Sequence, residues 1–176
     1  MKLISKIIAA SILLCANSAF AQSSSGLGLS SDKPVQIDGD TFEILEEQGI
    51  AIFSGAVMVV QGQTVLKTSK LTIHYDMSGQ SSGGSIATGG ADIDRLVATG
   101  GVNIQSGQQN ATGDTGTYDM KSQVLVLSGK RVTLSEDGTV ATGCKLTVTT
   151  SNNRAKLEGC SSATRPTVLI QPRKSN

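Results

Sequence analysis

Hydrophobic residues in this chain fall into short runs that alternate with polar residues or end at glycine. Val57 and Val59, or Ile73 and Tyr75, recur at every second position, which is the periodicity of a half-buried β-strand. Many of these residues are β-branched, and this favours strands. Fourteen runs predict strands: 35–37, 41–45, 50–53, 56–60, 65–67, 71–75, 96–98, 102–105, 116–118, 124–127, 132–135, 146–150, 154–157 and 168–171.

The runs also repeat. Tyr75-Asp76 and Tyr118-Asp119 lie 43 residues apart, and each pair ends a similar arrangement of strand, glycine and strand. After residue 22, no stretch combines a helical apolar stripe with helix caps. Because one such unit cannot bury its apolar face alone, stacked units are expected to share one continuous interior.

Composition supports this interpretation. Glycine, serine and threonine make up about a third of the 176 residues, whereas the chain has 3 phenylalanines, 2 tyrosines and no tryptophan. The chain is too apolar and too weakly charged for a disordered protein, and it lacks the residues of a helical bundle or a collagen. An all-β protein of many short strands remains.

The first 21 residues resemble an export signal. Lys2 and Lys6 precede the apolar run 7–14, and an Ala-Phe-Ala sequence ends at Ala21, so cleavage is predicted between Ala21 and Gln22. The apolar run is too short to span a bilayer, which needs about 20 residues. The mature chain is therefore expected to be exported and soluble.

Four segments follow from this reading. They are a cleaved signal at 1–21, a flexible Ser/Gly-rich leader at 22–32, a β-domain at 33–160, and a C-terminal strand and tail at 161–176. Loss of the signal changes the formal charge from +1 to −1. Without a basic surplus, nucleic acid is not an expected partner.

Two cysteines remain after cleavage, Cys144 and Cys160. In an oxidising compartment, an even count predicts one disulfide, with two free thiols as the alternative. A turn at 151–153 would set the two cysteines opposite each other, whereas a two-residue turn at 152–153 would offset them onto opposite faces. We predict the disulfide, with a bulge nearby.

Several short motifs occur in a fixed order along the chain. They are PVQIDGD at 34–40, FSGAVMV at 53–59, ATGD at 111–114 with Tyr118-Asp119, VLSG at 126–129 and NRAKLEG at 153–159. Over roughly residues 33–159, these motifs resemble those of the OstA-like, or LptA, family of lipopolysaccharide transport proteins.

This resemblance implies an open, twisted β-jellyroll with a slot for lipid acyl chains. It also implies a non-enzymatic role in the periplasmic bridge that carries lipopolysaccharide from inner-membrane to outer-membrane components, with possible head-to-tail self-association. No cofactor is implied. The cysteine pair departs from the family pattern.

Under this reading, ten residues are candidates to face the lipid: Val35, Ile37, Val57, Val59, Ile73, Tyr75, Val102, Ile104, Tyr118 and Leu127. Four of them, Val35, Ile37, Tyr75 and Tyr118, lie in the matching motifs, and the others follow from strand parity alone. Each could equally be an ordinary core residue.

Two other functions stay open at this level. One is a structural or adhesin-like exported β-protein without a lipid ligand. The other is an enzyme, for which His74 is the only histidine, and it alternates with Ile73 and Tyr75 toward the opposite face. Asp38, Asp40 and the pair at 92 and 94 fit turn and surface roles, so neither catalysis nor a metal site is expected.

Overall fold

The computed structural model describes residues 26–29, 33–76, 92–161 and 164–171. Within these residues the chain forms ten β-strands, which confirms the all-β prediction. They are β1 (Gln36–Asp38), β2 (Thr41–Leu45), β3 (Ile50–Gln61), β4 (Thr64–Tyr75), β5 (Ile93–Ser106), β6 (Gln109–Asp119), β7 (Val124–Glu136), β8 (Thr139–Thr149), β9 (Arg154–Glu158) and β10 (Thr167–Leu169). Two 3-10 turns, Glu46–Gln48 and Thr150–Asn152, follow β2 and β8.

All ten strands belong to one antiparallel sheet in which β3 to β8 lie side by side in chain order. At the first edge, β3 pairs with β2 along residues 50–54 and with β1 along residues 58–60. At the other edge, β8 pairs with β9 along residues 145–149 and with β10 along residues 140–142. Among the described residues, each of these four short strands has one partner, so the sheet is open.

A line of register shifts crosses the middle of the long strands. The shifts fall at Ser54/Val57, Thr68/Lys70, Thr99/Val102, Thr112/Thr115 and Ser128/Val132. They divide the sheet into two parts. Half A contains β2, β9 and segments 50–54, 70–75, 93–99, 115–119, 124–128 and 145–149; half B contains β1, β10 and segments 57–61, 64–68, 102–106, 109–113, 132–136 and 139–143.

At β5, two glycines adopt the backbone conformation of the bend, and short polar side chains of β4 form hydrogen bonds with it. Gly100 and Gly101 have φ angles of 83° and 88°, a left-handed conformation that side chains with a Cβ rarely adopt. Ser69 Oγ donates to the Gly100 carbonyl at 2.7 Å, and Thr68 Oγ1 donates to the Thr99 carbonyl at 2.8 Å. The carbonyls displaced by the bulge therefore keep hydrogen-bond partners.

The bend folds the apolar face of the sheet onto itself. One row of paired residues in half A consists of Phe53, Leu71, Ala98, Gly116, Leu127, Leu146 and Leu157. A row in half B consists of Ile37, Val59, Leu66, Ile104, Ala111, Leu134 and Ala141. A Cβ added at Gly116 would lie 3.4 Å from Val102 of half B, so the two halves are in contact there.

The fourteen predicted runs correspond to ten strands in the described part of the structure, because some neighbouring runs join into one longer strand. Runs 50–53 and 56–60 form the single strand β3, and runs 124–127 and 132–135 form β7. A bulge shifts the alternation of apolar residues while the strand continues to pair with its neighbours. Each break in the pattern therefore marks a bend within a strand and not the end of one.

The predicted disulfide is confirmed, since Cys144 is bonded to Cys160 with their Cα atoms 4.8 Å apart. Both predicted turns are wrong. The connection between β8 and β9 is the 3-10 turn Thr150–Asn152, followed by Asn153 in a left-handed conformation. With this connection, the β8–β9 pairing differs by one residue from the register that would align the two cysteines. Cys160 lies beyond the last residue of β9. The bulge predicted near the disulfide lies on the neighbouring strand β7, opposite Cys144.

Two predictions concern residues outside the described ranges: the signal at 1–21 and its cleavage between Ala21 and Gln22. In the ranges that are described, no helix has the length and apolar character needed to cross a membrane. Of the leader at 22–32 the structure describes residues 26–29, and its flexibility stays a prediction. Leu27 is only 4% exposed and belongs to the apolar cluster.

Replacing Cys144 and Cys160 by serine is expected to lower the free energy of unfolding by about 3 kcal/mol, because the disulfide closes a 16-residue separation in the unfolded chain. Urea unfolding followed by circular dichroism measures this loss. Reductant should destabilise the wild type similarly and leave the double variant unchanged. Equal midpoints for the oxidised wild type and the variant would contradict the prediction.

Candidate functional site

Nine of the ten residues predicted to face lipid belong to the apolar interior or pack against it. Eight are buried, with exposures between 0% and 7%: Val57, Val59, Ile73, Tyr75, Val102, Ile104, Tyr118 and Leu127. Ile37 is half-buried against them, whereas Val35 is 40% exposed and precedes β1. Strand parity therefore identified the inward faces, and contact with lipid stays a prediction.

The interior contains more residues than the sequence-based set. Six further large aliphatic side chains are buried on the same strands: Leu71, Leu96, Leu125, Val132, Leu146 and Val148. Alanine or glycine interrupts the rows at Ala51, Ala98, Ala111 and Gly116. The wall is therefore aliphatic and uneven, and it can contact hydrocarbon by dispersion without requiring hydrogen bonds.

The strand ends of half B are polar. Two-residue turns join β3 to β4, β5 to β6 and β7 to β8 there. Near these turns, the buried hydroxyls of Thr64 and Ser106 lie 3.0 Å apart, and Gln61 Nε2 donates to the Lys33 carbonyl at 2.8 Å. Because these groups already have partners and are polar, this end is a poor site for hydrocarbon.

The strand ends of half A carry both tyrosines. Tyr118 Oη donates to the Leu29 carbonyl at 2.9 Å and lies 3.2 Å from Thr150 Oγ1. Tyr75 Oη is buried and has no hydrogen-bond partner within the described part of the chain. An unpaired buried hydroxyl is unfavourable by about 1–3 kcal/mol, so its presence in an apolar interior calls for an explanation.

Residues 26–29 cover this tyrosine end. Leu27 is buried and Leu29 packs against the apolar cluster. Gly28 approaches Thr150 so closely that an added Cβ would overlap the threonine side chain. Sequence patterns do not predict this contact, because a Ser/Gly-rich segment with two leucines has no strand or helix periodicity.

Residues considered for catalysis occupy structural or surface positions. His74 pairs with Ile50 and Arg95 in neighbouring strands and alternates with the inward-facing Ile73. Asp38 accepts a hydrogen bond from Gln36 at 3.1 Å. In the residues that the structure describes, no group of three or more histidine, cysteine or acidic side chains is placed to hold a metal ion.

The other acidic candidates also have local partners. The backbone N–H of Asp40 donates to the Gly55 carbonyl at 3.0 Å. Asp94 Oδ1 lies 2.9 Å from Lys121 Nζ, and this hydrogen bond raises the pKa of Lys121. The carboxylate of Asp94 therefore has a local partner, and Asp40 is held through its backbone.

The β2 edge of half A is acidic. Glu43 on β2 and Glu46 and Glu47 on the following turn are exposed. Residues 36–49 include no lysine or arginine. The edge strand β2, whose partner among the described residues is β3 alone, is thus surrounded by negative charge.

The β9 edge of half A is basic. Arg154 and Lys156 are exposed on β9, and Lys145 is exposed on β8. Lys156 Nζ lies 2.9 Å from Glu158 Oε1, and this hydrogen bond lowers the pKa of Glu158. One of the three cations is therefore paired locally, and the edge keeps a net positive charge.

Comparison with known proteins identifies relatives of this sequence. Residues 36–154 match the family described as LptA/(LptD N-terminal domain) LPS transport protein. An uncharacterised protein of Rhizobium meliloti (strain 1021) is 41% identical over 167 residues, which cover 93% of this chain and 88% of that protein. The lipopolysaccharide export system protein LptH of Pseudomonas aeruginosa is 37% identical over 59 residues, or 32% of this chain and 34% of LptH.

The fold also has a solved counterpart. It resembles the crystal structure of LptH, described as the LptA-homologous periplasmic component of the conserved lipopolysaccharide transport device of Pseudomonas aeruginosa. The TM-score is 0.64 at 21% sequence identity, and the match covers 80% of this chain and 96% of LptH. At this identity, the match shows a common fold.

The two tyrosines are expected to respond differently to loss of their hydroxyls. Tyr118→Phe should lower the free energy of unfolding by about 1 kcal/mol, because it leaves the Leu29 carbonyl without its donor. Tyr75→Phe should be neutral or stabilising by up to about 2 kcal/mol, because it removes an unpaired buried hydroxyl. Urea unfolding of both variants tests this, and a larger loss for Tyr75→Phe would contradict it.

Proposed function

The chain belongs to the LptA/(LptD N-terminal domain) family of LPS transport proteins, and on this premise we propose that it binds lipopolysaccharide in the periplasm. It would serve there as one component of a bridge between the inner and outer membranes. The observation that carries the proposal is the interior, whose rows of paired, mostly aliphatic residues cross every strand from β3 to β8.

Lipid solubility explains why such an interior is useful. Each methylene group removed from water is favourable by about 0.8 kcal/mol, so exposing an acyl chain of about twelve carbons costs on the order of 10 kcal/mol. Free diffusion through the periplasm would therefore be negligible. A bent sheet offers the acyl chain an apolar wall on two sides and leaves the saccharide outside.

The open edges support an end-to-end arrangement with partners. Exposed strand edges form hydrogen bonds with other strands. An acidic edge at β2 and a basic edge at β9 attract each other, whereas two β2 edges or two β9 edges repel. This charge pattern favours head-to-tail contact with a second copy or with a similar domain of a membrane-bound partner, and such contact builds a chain and not a closed dimer.

No catalytic step is part of this proposal. Asp38 and Asp94 have the side-chain contacts given above, His74 lies on a paired strand, and any directed movement of lipid is assigned to partner proteins. A structural β-protein without a lipid ligand would share the same core. Direct detection of lipid in the interior therefore distinguishes the two.

Site-specific photo-crosslinking tests lipid binding. A photoreactive residue at Ile37, Val59 or Tyr118 should crosslink to lipopolysaccharide in cells, because these side chains face the interior. The same residue at His74, on the opposite strand face, should give at least about tenfold less product. Equal crosslinking at Val59 and His74, or none at any interior position, would reject lipid binding in the interior.

Charge reversal tests the contact between edges. Glu43→Lys with Glu47→Lys should weaken self-association in sedimentation experiments at low salt, and so should Arg154→Glu with Lys156→Glu. An equimolar mixture of the two double variants should associate again, because each reversed edge then meets an opposite charge. Failure of the mixture to associate, or wild-type association that is unaffected by 0.5 M salt, would contradict an electrostatic head-to-tail contact.

A further inference from the structure

Residues 26–29 contribute to the interior in a way that the proposed function does not use. The segment presents two leucine side chains to the apolar cluster, with Leu27 4% exposed. It also places the Leu29 carbonyl oxygen 2.9 Å from Tyr118 Oη. An apolar segment with one carbonyl bonded to a tyrosine therefore lies at the tyrosine end.

An acyl chain joined through an ester or amide presents the same two chemical groups. Its hydrocarbon needs an aliphatic wall, and its carbonyl oxygen needs a donor once it leaves water. Tyr118 already donates to a carbonyl of this kind. Tyr75 Oη, also buried at this end and unpartnered within the described residues, offers a second donor.

Leu29 of the leader and Lys33 at the start of the β-domain are bonded to different halves of the sheet. Leu29 is bonded to Tyr118 of half A, and Lys33 accepts a hydrogen bond from Gln61 of half B. Because four residues extend at most about 14 Å, the two attachment points lie within that distance of each other. An acyl chain entering between these strand ends would meet residues 26–29.

We propose that residues 26–29 are an internal competitor for the acyl-binding interior. Their leucines and the Leu29 carbonyl occupy the place of the carbonyl-proximal part of an acyl chain, and lipid must displace them to bind. This inference rests on the proposed lipid-binding function and adds its regulation. Competition of this kind weakens the apparent affinity in proportion to the fraction of molecules in which the site is free.

Three variants of residues 22–176, the full chain without the predicted signal, test this proposal. Leu27→Ser with Leu29→Ser removes the apolar side chains of the competitor. Gly28→Val keeps both leucines but prevents the segment from packing against Thr150. Leu169→Ser is the matched control, since Leu169 is 61% exposed on β10 and belongs to neither the leader nor the interior. Circular dichroism confirms that each variant is folded.

The affinity measurement uses a fluorescent ester of a twelve-carbon fatty acid as the probe. The double serine variant and Gly28→Val should each bind it at least about tenfold more tightly than the wild type, and Leu169→Ser should bind it as the wild type does. Wild-type affinity in both leader variants would overturn the competition and leave lipid binding intact. Weaker binding would show instead that the leader is part of the binding wall. Absence of binding in every protein would reject the proposed function together with this inference.

Hydrogen exchange measured by mass spectrometry tests the displacement directly. Saturating probe should increase exchange in residues 26–29 of the wild type while it slows exchange in β6. Slower exchange in both segments would mean that the leader stays in place beside the ligand, and this result would overturn the proposal.

Discussion

A single sheet with one apolar face must find something to cover that face, and this constraint shapes the whole molecule. The described residues include no long helix and no second sheet that could serve as a cover. The sheet therefore covers itself, and every long strand must bend at the same level. Register shifts across β3 to β8 provide the bend, and the carbonyls at Thr99 and Gly100 keep partners through the hydroxyls of Thr68 and Ser69.

The same bend explains why the interior suits a hydrocarbon ligand. Both walls come from the same strands, so aliphatic rows run across the whole stack of strands. Alanine and glycine at positions such as Ala98 and Gly116 keep the wall uneven. The two ends of the strands then differ chemically. Half B ends in hydrogen-bonded polar groups near Thr64 and Ser106, whereas half A ends in two tyrosine hydroxyls. We propose the half A end as the place of the lipid carbonyl.

Openness is the other consequence of a self-covered sheet. A closed barrel would have no free edges, but a bent sheet keeps one edge at each side. In this chain the half A edges differ in charge, and in the proposed head-to-tail contact this difference favours unlike ends. Residues 26–29 of the N-terminal leader, which composition alone describes as a flexible linker, lie at the tyrosine end. The proposed partner contact and the proposed lipid site therefore use different parts of the same framework.

The sequence alone determined the all-β class, the inward faces of most strands and the cysteine pair, because alternation and residue chemistry are local properties. It also placed Tyr75 and Tyr118 at equivalent positions of a repeat. Only the tertiary structure decided that neighbouring runs join into bent strands, that the β8–β9 register is shifted by one residue, and that Leu27 is buried. Each of these depends on which distant groups meet, such as the Leu29 carbonyl and the Tyr118 hydroxyl, 89 residues apart. Local periodicity contains no information about such contacts.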